Sequence, residues 1–254
     1  MFRLLVWAPP RFGLGPVCWA DRWTVSDPSA QPGATFRVGG IYKGLVVYDS
    51  PTAVDFSMMD TPRRLFRVQP RLVTRDSFRA PNQHRGWCWE LTVLEEVPHT
   101  LAWGPRGPAI SVLASRARDI GREQARQLAA VTGDRTVFEE VRKVARQVDL
   151  VEAANGAGVE VAMAATLSAD LAGEAEQTDI CATYLAGFAF KDPAWPAAIS
   201  ALRLVAEAVV LRDRIPSQLF AAAVHPWTEV FGPLPAEALA GPPRLGVRRQ
   251  SRNA

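Results

Sequence analysis

The sequence predicts an α+β fold: a mostly antiparallel β domain with one short helix, followed by an α-helical domain. Two observations carry this. Before about residue 108 apolar side chains recur at every second position, and after it at spacings of three and four; these are the periods of a strand and of a helix. Six of the eight tryptophans also precede residue 108, set among turn clusters such as Ser26-Asp-Pro-Ser29, Gln31-Pro-Gly33, Thr61-Pro62 and Ala80-Pro-Asn82. Proline fixes φ in such clusters, and Asn, Asp or Ser bonds the backbone locally.

The first half reads as strands over 17–25, 35–38, 41–48, 65–73 and 87–97. Trp19 and Trp23 share one face at period two, and so do Trp87, Trp89, Leu91 and Val93, as a half-buried strand requires. Between the third and fourth strands stands Gly44-Leu-Val-Val-Tyr-Asp-Ser-Pro-Thr-Ala-Val-Asp-Phe56. Its glycine permits a tight turn or a bulge. Asp49 or Ser50 is placed to cap, and Pro51 to begin, a short helix over 52–59.

Residues 98–108 read as a linker between the halves or as an ordered crossover. Beyond it, Val137, Val141, Val144, Val148 and Val151 form one helical stripe, preceded by the capping-box spacing Thr136-Val-Phe-Glu139. Ile199, Leu202, Val205 and Val209 form a second, with Asp192-Pro193 as its start signal. Ala-rich segments at 159–172 and 174–190 predict two more helices. A last helix over 217–231 contains Pro226, which is expected to kink or split it. Core packing accounts for every one of these stripes. The expected organisation is a β-rich domain over 1–107, a helical domain over 108–240 and a disordered basic tail over 241–254.

With 254 residues, 48% apolar, the chain can bury a sizeable core. No run of about 18 apolar residues occurs, so no membrane span is expected. The apolar run near the N-terminus is shorter than a signal peptide needs. The expected location is cytoplasmic, in a host cell or associated with a virion. Three scattered cysteines (Cys18, Cys88, Cys181) and three histidines (His84, His99, His225) lack the spacings of a disulfide framework or a metal site. No metal and no cofactor is expected. Net charge is +4 over 1–107 (13 basic, 9 acidic), −5 over 108–240 (12 basic, 17 acidic) and +4 over the tail (four arginines), which together give the +3 of the whole chain. Arginine outnumbers lysine 26 to 3, a bias that GC-rich coding also produces.

Two runs resemble an uncharacterised domain of bacteriophages and their hosts. One is Phe36-Arg-Val-Gly-Gly-Ile-Tyr-Lys-Gly-Leu-Val-Val-Tyr-Asp-Ser-Pro51, followed by Arg64-Leu-Phe-Arg-Val68. The other carries Arg212-Asp213, Ile215, Phe220, Pro226-Trp227, Val230 and Gly232. The sequence departs from that pattern at Tyr48 and Asp49. The resemblance implies a phage or mobile-element context and no mechanism. It makes the first expected function a non-catalytic interaction protein with an unknown protein partner.

Two alternatives rest on other residues. Tyr42, Lys43, Gly44 and Ser50, with a later strand carrying Glu90, Glu95 and Glu96, are similar in outline to ADP-ribosyltransferases. That resemblance implies NAD as cofactor, Tyr42, Lys43, Gly44 and Ser50 as ligand-binding residues, and Glu95 or Glu96 as the catalytic carboxylate stabilising an oxocarbenium-like transition state. The clean Ser-Thr-Ser and Glu-x-Glu of those enzymes are missing. The second alternative is a polyanion- or nucleic-acid-binding module. Arg63, Arg64, Arg67, Arg71, Arg75, Arg79 and Arg85 face a single acid, Asp76, over 63–85. Such a stripe can meet phosphates, with Phe66 and Phe78 stacking on bases. No P-loop, dinucleotide fingerprint, nucleophile elbow or HExxH is present.

Overall fold

Strand β5 (Arg85–Val97) organises the first half of the computed structural model, which describes residues 18–21, 30–37, 45–54, 64–73, 85–132, 135–177 and 188–239. The other strands there are β1 (Cys18–Asp21), β2 (Thr35–Arg37), β3 (Leu45–Tyr48) and β4 (Leu65–Val73). One side of β5 pairs with β4, from Leu65 opposite Val97 to Val73 opposite Cys88. Its other side pairs with β3 near Cys88 and with β2 near Leu91. β1 then runs along β4 and bridges to β3 where Trp19 faces Tyr48. The circuit β4-β5-β3-β1 closes on itself, which removes most free strand edges. All the pairings are antiparallel. Inside lie Ala30, Val47, Phe66, Val68, Cys88, Leu91 and Val93.

The alternation read from β5 needs one correction. Trp87 is 39% exposed while Cys88 is fully buried, and further along Leu91 and Val93 are fully buried. The inward side therefore changes parity, with Glu90 and Leu91 both buried. A tryptophan pair suggested the wrong face because β5 changes neighbours midway. The register against β4 also jumps from Arg67–Glu95 to Val68–Val93, the signature of a bulge at Leu94.

After β3 the chain turns as expected, but briefly. Ser50 Oγ accepts the Thr52 N–H at 3.2 Å, and Pro51 occupies the first position of a 3-10 turn. That turn ends at Ala53, and Val54 is extended again, so no helix covers 52–54 as a whole. The remainder of the expected helix, 55–59, lies outside the described residues.

Of the two readings of 98–108, the ordered crossover is the one observed. His99–Arg106 forms 3-10 turns broken at Gly104 (φ 71°), and Ala102, Trp103 and Arg106 are buried. The core is continuous across it. Tyr48, Val54 and Leu65 from the outside of the barrel join Trp103, then Ile110, Leu113, Leu128 and Leu202 of the helices.

The helices are α1 (Gly107–Ala117), α2 (Arg122–Val131), α3 (Arg135–Gln147), α4 (Val151–Leu171), α5 (Ala194–Val210), α6 (Ser217–Phe231) and α7 (Ala236–Leu239). α4 is rich in Ala and Gly and buried on most of its circumference, as a central helix must be. Its small residues let α5 approach closely. The valine stripe holds through Val148, but α3 ends at Gln147 and Asp149 adopts a left-handed conformation (φ 58°). Val151 therefore opens a new helix and is 40% exposed.

Other expectations are also corrected. Thr136 lies inside α3, so Thr136-Val-Phe-Glu139 is no capping box; Glu139 instead pairs with Arg135. Half of such a box forms at α2, where the Gly121 N–H donates to Gln124 Oε1 at 3.0 Å. The helix expected over 174–190 is absent from its described part. Gly173 (φ 69°) terminates α4, and β6 (Ala175–Gln177) pairs antiparallel with β7 (Phe188–Phe190). Asp192 does mark the start of α5, accepting the Ala194 N–H at 2.9 Å. α6 continues unbroken through Pro226, held by burial of Phe220, Val224 and Trp227. The tail 241–254 lies outside the described residues. Among the described residues no helix is long and apolar enough to cross a membrane.

Candidate functional site

Glu90, Glu95 and Glu96 of the barrel are each paired with arginine. Arg64 forks onto Glu96, with Nε 3.0 Å from Oε1 and Nη2 2.7 Å from Oε2, and Nη2 also donates to the Ala30 carbonyl. Arg67 Nε lies 2.6 Å from Glu95. Buried Glu90 takes Arg37 at 2.5 Å and Arg71 at 3.5 Å. Arg67–Glu95, Arg71–Glu90 and Arg37–Glu90 are cross-strand partners, brought together by the β4–β5 and β2–β5 registers, and Arg64 reaches Glu96 from the residue before β4. The Arg64 bond raises that guanidinium's pKa and lowers that of Glu96. Phe66 is fully buried inside the barrel, so no base can stack on it.

The residues expected to form sites are thus distributed as follows. Arg64, Arg67 and Arg71 share one strand pair with Glu95, Glu96 and Glu90. Ser50 caps the turn after β3 and lines a cavity on the helical side. Neither Glu95 nor Glu96 lines that cavity or its neighbour. Tyr42, Lys43, Gly44, Arg63, Arg75, Arg79 and Phe78 lie outside the described residues.

Two adjoining cavities lie where the barrel corner meets the helical half. The first, about 420 Å³, is lined by Ser50, Thr52, Ala53, Arg146, Asp149, Val151 and Glu152. The second, about 380 Å³, is bounded by Arg142, Arg146, Val151, Asn155, Arg203 and Glu207. Arg146 and Val151 line both, so they form one cleft between the barrel corner and the α3–α4–α5 face. Each volume is in the range of small-ligand pockets.

Helical spacing builds the second cavity. Arg142 and Arg146 stand one turn apart on α3, and Arg203 and Glu207 one turn apart on α5. The Glu207 side chain is 2% exposed. Its Oε1 accepts Arg203 Nε at 2.9 Å and Arg142 Nη2 at 3.4 Å, and its Oε2 accepts Arg142 Nε at 3.4 Å. Arg203 Nη2 donates to Asn155 Oδ1 at 2.6 Å, and the Arg142 guanidinium lies 4.1 Å from the centre of the Phe138 ring. Gly158 of α4 leaves the space this network fills, because a Cβ there would come within 2.8 Å of Arg203 Cγ and 2.9 Å of Glu207 Cγ.

Three guanidinium groups and one carboxylate therefore line the second cavity, an excess of two positive charges there, while Asp149 and Glu152 add negative charge to the first. The bonds from Arg142 are long, and Arg146 is exposed. Both retain N–H donors for an incoming anion, and Arg is the residue suited to bidentate capture of phosphate or carboxylate. None of Arg142, Arg146, Arg203 and Glu207 was singled out from the sequence. A signal existed: Glu207 is a lone charge in the apolar run Leu204-Val-Ala-Glu-Ala-Val-Val210. No described group of His, Cys, Asp and Glu is arranged to hold a metal. No family model, curated protein or solved structure matches the chain.

Proposed function

We propose that the chain is a non-catalytic binding protein whose cleft on α3, α4 and α5 captures an anionic group. One observation carries the reading: Arg142, Arg146 and Arg203 line the second cavity, in which the one lining carboxylate, Glu207, is buried and already shared. The buried carboxylate offsets one of the three positive charges and leaves two. The proposal narrows the expected interaction protein to one that recognises negative charge. The phage or mobile-element context remains part of it and rests on the two sequence runs alone. The barrel arginines are weaker candidates for this role because Glu90, Glu95 and Glu96 oppose them.

Calorimetric titration of the full chain with inorganic phosphate at low and moderate salt tests the proposal. Binding should weaken with salt. It should fall at least about tenfold, some 1.4 kcal/mol, in Arg142→Gln/Arg146→Gln, and persist in Arg64→Gln/Arg71→Gln. Loss in the barrel variant with retention in the cleft variant would move the site to the strand pair.

A further inference from the structure

The hydrogen bonds that hold Arg142 and Arg203 leave one end of each guanidinium unclaimed. Arg142 uses Nε and Nη2 on Glu207, and Arg203 uses Nε on Glu207 and Nη2 on Asn155. Among the described residues nothing accepts from Nη1 of either. Asn155 adds a third such group. Arginine only donates, so the Asn155 atom that faces Arg203 is the amide oxygen. That fixes the amide's orientation, and no described residue accepts from its NH2 group. None of these three donor groups is sealed in the interior, and all three residues line the second cavity. We infer that Asn155 sets the specificity of the anion site, selecting a tetrahedral oxyanion (a phosphoryl or sulfuryl group) over a planar carboxylate.

The inference rests on the anion reading above and deepens it. Donors come to the cavity from three helices: Arg142 and Arg146 from α3, Asn155 from α4 and Arg203 from α5. A carboxylate has two acceptor oxygens in one plane. A phosphoryl group carries three that do not share a plane with its centre, so it can accept from all three helices at once. Arg142 and Arg203 both donate to Glu207 Oε1, at 3.4 and 2.9 Å, so one compact group can bridge them. Asn155 acts on this geometry twice. Its oxygen holds Arg203 Nη2 at 2.6 Å, which fixes the plane of that guanidinium. Its NH2 is a neutral donor, which rewards an oxygen in the right direction without attracting every anion.

The test compares three probes by calorimetry on the full chain near neutral pH: inorganic phosphate, sulfate and malonate. Sulfate and malonate are both dianions there, so they differ in shape and not in charge. Phosphate and sulfate should each bind at least about tenfold tighter than malonate, and whichever of the two binds tighter identifies the group. Asn155→Ala should abolish the preference over malonate, lowering phosphate and sulfate affinity while leaving malonate binding nearly unchanged. Loss of all three in proportion would overturn the inference by making Asn155 a merely structural residue, and an unchanged preference would overturn it as well. Asn155→Asp keeps an acceptor for Arg203 and removes the donor, so it serves where thermal melts show that the alanine variant folds poorly. Its phosphate affinity should fall at least about tenfold, and undiminished binding would refute the role of the NH2 group. Equal affinity of the parent chain for the three probes would overturn this inference and leave the anion site standing. Failure of all three to bind would overturn the anion reading itself.

Discussion

Arg106 Nη2 lies 2.7 Å from both carboxylate oxygens of Asp213, joining the crossover that follows the barrel to the turn that follows α5. Arg106 Nη1 also donates to the Ala238 carbonyl in α7 at 3.0 Å. One side chain, 3% exposed, therefore pins three segments. Arg106→Ala should cost about 3 kcal/mol, the scale of breaking a buried pair, reduced somewhat because Asp213 is half in solvent. Asp213→Ala should cost less, since Ala238 still accepts from the guanidinium. A urea double-mutant cycle checks this; additive losses would show that the two residues act independently.

Glycines on and near α4 should respond in graded fashion to alanine. A Cβ at Gly107 would overlap the Thr100 carbonyl, a backbone atom that cannot step aside, so Gly107→Ala should fold poorly. At Gly158 the Cβ would press on Arg203 and Glu207 side chains. Overpacking of that kind costs about 1–3 kcal/mol, and phosphate binding should weaken as the network shifts. At Gly156 the nearest atom is Trp103 Nε1 at 3.5 Å, an ordinary contact. Gly156→Ala should therefore gain up to about 1 kcal/mol from helix propensity. Thermal melts of the three variants give the order, and a stabilised Gly158→Ala would refute the close α4–α5 fit.

Asp192 should carry part of the acid limb of stability. The Ala194 N–H and then Arg126, at 2.9 Å, hold its carboxyl below the ordinary value of 3.8. A depressed folded-state pKa means that the contribution is present above the unfolded value and disappears as pH falls through the folded one. Stability should thus drop as pH falls below about 4, and Asp192→Asn should flatten that drop. Glu96, lowered by Arg64, acts with the same sign. An Asp192 carboxyl titrating at or above 3.8 in a carbon-detected NMR series would contradict the geometry.

Much of this architecture was legible because period and burial coincide. The stripe Val137-Val141-Val144 and the run Ile199-Leu202-Val205 each have one apolar face and form helices. β4 reads correctly from Leu65 to Val73. What stayed hidden depends on distant neighbours. Pro105 and Gly104 left 98–108 open between linker and crossover, and Trp103 anchors it in the core. The Ala-rich stretch after Leu171 suggested a helix until Gly173 turned it. Arg67 and Glu95 suggested two rival functions separately, and only strand register reveals that they neutralise each other. The cleft eluded inspection for the same reason: α3 and α5 lie some sixty residues apart in sequence, and nothing local announces that Arg142 and Arg203 share Glu207.

Glu207→Gln should separate stability from binding. The carboxylate is buried between two guanidinium groups. Glutamine keeps its shape but removes the charge that balances them, and the loss should be about 3 kcal/mol. The same change raises the excess positive charge of the second cavity from two to three. Its affinity for phosphate should therefore rise, several-fold at low salt and less at high salt. A lower Tm together with tighter phosphate binding is the expected signature, measured by thermal melts and calorimetry on one preparation. A lower Tm with weaker binding would mean that Glu207 serves the anion site by positioning Arg142 and Arg203 rather than by opposing their charge.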